Sequence, residues 1–362
     1  MQKCTSPAVL IAVMALIALA GCERKIINEV AAHDDGLAAS ACFTCHGDDN
    51  FALIAAQRQW ANSLHASGAH METSSSCQPC HTNEGFVAMA TGDSVESEHF
   101  TPISCFTCHA PHTTGNLGLR LTTAVTLGNG EQFDRGAGNL CANCHKSRRD
   151  VNTYVFDGVK LTTRFGPHHS NQSDMLAGTG GYEYDGYQYL NSAHTGVADE
   201  GCIDCHMTAT GTLVTGGHAF NMEEEEAGEN LVGCNVSNCH GLTGELEEFN
   251  RNAVTDYDDD GTVEGVQDEV DGLIIKLQDR LLAAGLIKAS GETYAPTNNL
   301  VVSDADSAGA VYNWLFAYED RSLGVHNTKY AAGILQSSIN FLSTGDPNGV
   351  RARANADLLT MH

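Results

Sequence analysis

Basic side chains are scarce in this chain: 19 lysines and arginines stand against 45 aspartates and glutamates, a formal net charge of −26. So acidic a surface repels a phosphate backbone and argues against nucleic acid as a partner. It suits a protein held in solution outside the cytoplasm, and it suits docking to a basic partner, although plain solvation accounts for it as well. Aromatic residues make up only 7% of the sequence. A run of apolar residues long enough to span a bilayer is also missing, since the stretch from Ala8 to Ala20 is short for that purpose. From residue 41 to residue 241 there is almost no sustained helical or strand periodicity. Cysteine is not scarce, but twelve of the fourteen cysteines fall in one recurring pattern, so almost none is left for a disulfide framework.

That pattern is Cys-x-x-Cys-His. It occurs at Cys42–Cys45–His46, Cys77–Cys80–His81, Cys105–Cys108–His109, Cys141–Cys144–His145 and Cys202–Cys205–His206, and a sixth copy has a longer gap, Cys234–Cys239–His240. Two thiols at this spacing attach to the edge of a porphyrin as thioethers, and the histidine that follows ligates the iron from the proximal side. A zinc site or redox pair would be a fair reading of one copy. Six copies, each followed at once by histidine, point to six covalently bound haem c groups. Porphyrin faces then supply much of the core that aromatic side chains would fill.

The N-terminus has a lysine, an apolar segment and Leu19-Ala20-Gly21-Cys22, the shape of an export signal. Its ending resembles a bacterial lipobox, which implies cleavage before Cys22 and lipid on that cysteine. Residues 1–21 are therefore expected to be a lipoprotein signal peptide and 22–40 a polar tether. Residues 41–241 should be the haem-binding region and 242–362 a helical region packed on the haems. The expected location is the outer membrane, facing the periplasm or the cell surface.

The fold class expected is mainly α with many loops, a multihaem cytochrome c fold organised around covalent haems and finished by long C-terminal helices. Short helices should carry the haem motifs, and Gly128–Gly138 and Asp174–Gly186 read as surface loops. Apolar residues at spacings of three and four predict a helix over 264–284 that stops near Gly285. Further helices are predicted over about 304–319 and 328–342, with His326 in the turn between them. Asp256, Asp258 and Asp260, followed by Gly261, Thr262 and Glu264, match the first half of a calcium loop, but the twelfth position is Gln267. A calcium ion and a solvated acidic turn both fit that segment. Glu223 to Glu226 reads as a solvated run of charge.

Removing the six proximal histidines from the 17 in the chain leaves eleven: His33, His65, His70, His99, His112, His168, His169, His194, His218, His326 and His362. Six bis-histidine haems would use six of these, so the supply exceeds the need. His33 and His362 fall in expected tails.

The order Trp60-x-x-x-x-His65, the motifs of His109 and His145, Ser192-Ala193-His194, Cys202-Ile203-Asp204-Cys205-His206-Met207, His218, the motif of His240, a long helix and a late His326 resembles the ammonia-forming cytochrome c nitrite reductases and their relatives, including hydroxylamine oxidoreductase. The likeness runs from about Trp60 to Ile339, in motif order rather than continuous identity. It implies His218 as distal ligand for the haem of His109, His326 for that of His145, His65 for that of His206 and His194 for that of His240. The haem of His81 falls where the nitrite reductases carry their catalytic haem, and His168 or His169 would close it, with His99 in reserve. His112 is the choice for the additional haem of His46.

The chain departs from that family at the catalytic centre. A histidine, His81, stands where the family has lysine, and Arg148 where it has tyrosine. No arginine lies between His65 and Cys77. The expected function is therefore an electron-transferring hexahaem lipoprotein that serves other redox proteins and has no catalytic residues. Reduction of a small nitrogen or sulfur oxyanion at the His81 haem is the enzymatic alternative. A haem filament of repeated subunits, a homo-oligomeric arrangement, is the structural one.

Overall fold

A computed structural model describes residues 51–349 apart from residues 115 and 243. The signal and tether, Cys22, His33, the motif of His46, and His362 lie outside the described residues. The described chain is mainly helical, with three two-stranded antiparallel sheets. No helix within it is long and apolar enough to cross a membrane.

Helix α1 (Phe51–Trp60) opens the described chain, and short helical turns then carry motif cysteines at Gln78–His81, Cys105–Cys108, Asn139–Ala142 and Cys202–His206. The longer Cys234–His240 motif ends instead in a single 3₁₀ turn, His240–Leu242. Between the motifs lie two small hairpins, β1 (Val125–Thr126) with β2 (Gln132–Phe133), and β3 (Glu223–Glu224) with β4 (Gly228–Glu229). The first of these corrects the reading of Gly128–Gly138 as a surface loop. Val125, Leu127 and Phe133 are buried there with Ala142 and Leu176, because alternation across a short hairpin turns every second side chain inward.

Three longer helices follow. Helix α2 (Val266–Ala283) buries Val270, Leu273, Ile274, Leu277 and Leu281, one face at helical spacing, and the chain leaves it through Gly285 at φ 70°. Hairpin β5 (Ile287–Ser290) with β6 (Thr293–Pro296) comes next, a pair that the sequence reading did not anticipate. Helix α3 (Ala305–Asp320) begins where the Asp304 carboxylate accepts the Ser307 amide, a cap that satisfies one of the helix's free N–H groups. Helix α4 (Thr328–Thr344) is capped in the same way by Asn327, which accepts from Tyr330 N, and it packs on both α2 and α3.

The core is more conventional than a fold shaped by haem alone. Val151, Val155, Val159, Leu161, Phe165 and Met175 from the haem-binding region join the apolar faces of α2, α3 and α4 in one buried cluster. The segment Asp174–Gly186, read as a loop, is drawn into this core too. Tyr330 Oη accepts the Gly181 amide and donates to Glu183, while the side-chain amide of Asn313 bonds both backbone groups of Tyr182. Its tyrosines bring large apolar area together with a hydroxyl that can be satisfied inside.

Candidate haem-ligating site

In each of the five described motifs the histidine stands opposite a second histidine. The ring centroids are 6.0 Å apart for His145 and His65, 6.2 Å for His81 and His168, and 6.2 Å for His109 and His218. For His240 and His194 they are 6.1 Å apart, and for His206 and His326 6.3 Å. Two metal–imidazole bonds of about 2 Å, plus the half-width of each ring, set two trans imidazoles about 6 Å apart, centroid to centroid. All five pairs have the spacing that one ligated iron requires.

The second nitrogen of seven of these ten rings has an acceptor. Nδ1 of His81 lies 2.6 Å from the carbonyl oxygen of His70, that of His109 2.7 Å from Leu117 O, and that of His206 2.9 Å from Phe220 O. On the distal side, Nδ1 of His194 lies 2.7 Å from Val325 O and that of His168 2.9 Å from His169 O. A carbonyl oxygen only accepts, so each Nδ1 must carry the proton and donate it. That fixes the tautomer and leaves Nε2 as the ligating nitrogen. Gln172 Oε1 holds His145 Nδ1 at 3.1 Å, and the Asp320 carboxylate holds His326 Nδ1 at 2.7 Å.

Electrostatics separates the rings. Burial lowers the pKa of His65 to about 4, with His145 adding to the shift, so His65 is neutral and free to ligate at any physiological pH. Burial works in the same direction on His326, but the Asp320 carboxylate outweighs it and the net shift is upward. An imidazole backed by a carboxylate is a stronger donor to a metal.

The resemblance gave His218 to the motif of His109 and His194 to that of His240, and the structure brings each of these pairs together. It implied His326 for His145 and His65 for His206, and here the structure differs: His65 faces His145 and His326 faces His206. The cause is local. Trp60, at the end of α1, stacks on His65 at 5.9 Å and 8°, and Phe220 meets its edge at 5.2 Å, which turns that ring toward His145. Asp320 fixes the other side of His326. Between His168 and His169, it is His168 that faces His81, while His169 bonds Glu319 at 2.8 Å. His99 is exposed, and His70 offers His81 its carbonyl oxygen. His112 lies against Phe106, with centroids 6.0 Å apart, and its expected counterpart His46 is outside the described residues.

Ten described cysteines are free of disulfides. Several from different motifs come close enough for their sulfurs to interact: Cys80 with Cys144, Cys141 with Cys202, and Cys205 with Cys234. Cys108 also lies in the field of Cys141. The motifs are thus neighbours in the order His81, His145, His206, His240, with that of His109 joining at His145.

Asn327 ties two of the ligand segments together. Wholly buried, it accepts from the amide and hydroxyl of Ser192 and donates to Asn191 Oδ1 and Thr195 Oγ1, so the loop bearing His194 is fastened to the start of α4 beside His326. The supporting carbonyls carry no signal in a sequence, because every residue has one. Gln172, Glu319 and Asp320 do have side chains that could have drawn attention.

At the acidic loop, carboxylate oxygens of Asp256, Asp258 and Asp260 come within 4.8 Å of one another, and Glu264 is not among them. The loop is held by its own amides, including that of Thr262 on Asp260, and by Glu269, buried beneath it, which accepts from Tyr257 N, Asp258 N and Glu264 N. Gln267, at the twelfth position, donates instead to Ser322 O.

Comparison with known protein families, with curated proteins and with solved structures returned no match for this chain.

Proposed function

We propose that this chain is a hexahaem c-type cytochrome that passes electrons between redox partners along a line of bis-histidine haems. The observation that carries the reading is the set of five facing histidine pairs at 6.0–6.3 Å, with Nδ1 of seven of the ten rings braced by an acceptor. The haem supplies a one-electron couple. The protein's part is to hold two imidazoles on each iron so that little has to rearrange when the charge changes, and to place the motifs side by side. The order of neighbours gives a path from the His81 site through those of His145 and His206 to that of His240. The His109 site forms a branch, and Cys42, Cys45 and His46 hold a sixth haem, with His112 as its distal ligand.

His168 opposite His81 favours electron transfer over reduction of an oxyanion, because these two imidazoles would both hold a haem iron bound there and leave no position for a substrate. The signal and lipobox support export and anchoring through Cys22 at the outer membrane, within reach of donors and acceptors on the periplasmic or surface side.

Mass spectrometry of the intact mature protein tests the reading directly. The expected mass includes six haems, one of them on Cys234 and Cys239, and a lipid on Cys22. Free thiols at the motif cysteines would overturn the proposal.

A further inference from the structure

Among the ten histidines of the five facing pairs, His168 alone is exposed. Its backbone is unusual as well, with φ at 79° for both His168 and Ser170, a left-handed conformation that costs a residue with a β-carbon free energy and persists only where its surroundings impose it. Its brace differs too. The acceptor for His168 Nδ1 is the carbonyl of the very next residue, so it moves with the ligand, whereas the Nδ1 acceptors of His81, His109, His145, His194, His206 and His326 lie at least six residues away along the chain.

His169 is prepared in the manner of an axial ligand but faces no motif histidine. Nδ1 is held by the Glu319 carboxylate at 2.8 Å, which leaves Nε2 for a metal, and the side chain is 72% exposed. Its ring centroid is 5.3 Å from that of His168. A rotation of the backbone at residue 168 out of the left-handed region would withdraw one ring and carry the next toward the place it left.

We propose that His168 and His169 are alternative axial ligands of a single iron, the one bound by His81. This rests on the reading of Cys77–His81 as a haem site. In the exchange one iron–nitrogen bond breaks and one forms. Both imidazoles keep their Nδ1 protons, and no electron is gained or lost. The His81 site is then the one place in the described line where the sixth ligand is replaceable, since the other four distal rings are half-buried and none has a second histidine as its chain neighbour.

Three variants of the full haem-loaded protein test this: His168→Gly, His169→Ala and the double variant. Glycine accepts the left-handed backbone at 168 without strain, and His168→Asn is a second choice that also tolerates it. Ferric spin state is read by electron paramagnetic resonance, with haem content checked by mass. Both single variants should keep every haem low-spin, and the double variant should show one high-spin haem in six. A high-spin haem in His168→Gly as large as in the double variant overturns the exchange, since His169 then does not reach the iron. A fully low-spin double variant removes both histidines from that iron and overturns it as well. A chain that carries no haem on Cys77 and Cys80 defeats the functional reading instead, so the two failures are distinguishable.

Discussion

At the scale of single residues, the buried Asp320 carboxylate accepts the Nδ1 proton of His326, which would enrich Nε2 as a ligand in the proposed haem site. His326→Ala should leave one high-spin haem, that of His206, with the attached haem count unchanged. Asp320→Asn should keep the site low-spin and raise the potential of that haem, because an amide oxygen pulls less on the proton and the ferric state loses support. Spectroelectrochemistry reads both, and an unchanged potential in Asp320→Asn would show that the carboxylate does not tune the iron. Asp174 behaves differently. It is fully buried, one oxygen accepts the Ser147 amide at 2.8 Å, the other has no protein partner, and burial raises its pKa to about 6. With the native pKa above the unfolded one, the folded state binds the extra proton, so stability is greatest below about pH 4 and falls as pH rises to about 6. The loss amounts to about 3 kcal/mol at neutral pH, from about 1.4 kcal/mol per pKa unit. Asp174→Asn should therefore raise the unfolding midpoint at pH 7.5 far more than at pH 4, and equal gains at the two values would refute the linkage.

At the scale of elements, the contact between α3 and the tyrosine segment is the tightest approach of backbone to ring. A β-carbon on Gly309 would lie 2.1 Å from Tyr182 Cδ1, so Gly309 is needed for close packing rather than for its own backbone angles. Gly309→Ala should push Tyr182 away, weaken its hydrogen bonds to Asn313 and Asp306, and cost about 1–3 kcal/mol by overpacking. Denaturant unfolding with an unchanged slope would measure it, and a neutral result would mean that the segment yields freely. The three long helices were legible in the sequence because each has apolar positions at helical spacing and a side-chain cap or terminal glycine. The hairpins were not, since two to four residues are too few for a period to show. The burial of residues 151–177 was hidden for a related reason: its turns are short, and what fixes them is contact with helices more than a hundred residues later.

At the scale of the whole molecule, the motif half of each facing histidine pair was legible in the sequence, as Cys-x-x-Cys-His is a local pattern. The distal half could not, because a facing imidazole comes from a segment whose position depends on tertiary packing. Histidine order along the chain therefore gave two pairings that the structure brings together and exchanged the other two, where Trp60 and Asp320 turn the rings. The choice between His168 and His169 was beyond sequence reasoning altogether, since adjacent residues differ only in which way the backbone turns.

The knot at Asn327 bears on how such a protein is made. If the chain is exported from its N-terminus, as proposed, Cys202, Cys205 and His206 emerge well before residue 326, and His194 lacks its Val325 brace until the same moment. Haems attached as the motifs emerge at His206 and His240 would wait with an incomplete axial environment until α4 docks and Asn327 closes on the loop at Ser192. If the motifs carry haem as proposed, completion of the last helices would be the step that closes both sites, and the cysteine-free end of the chain would act as a late check on maturation.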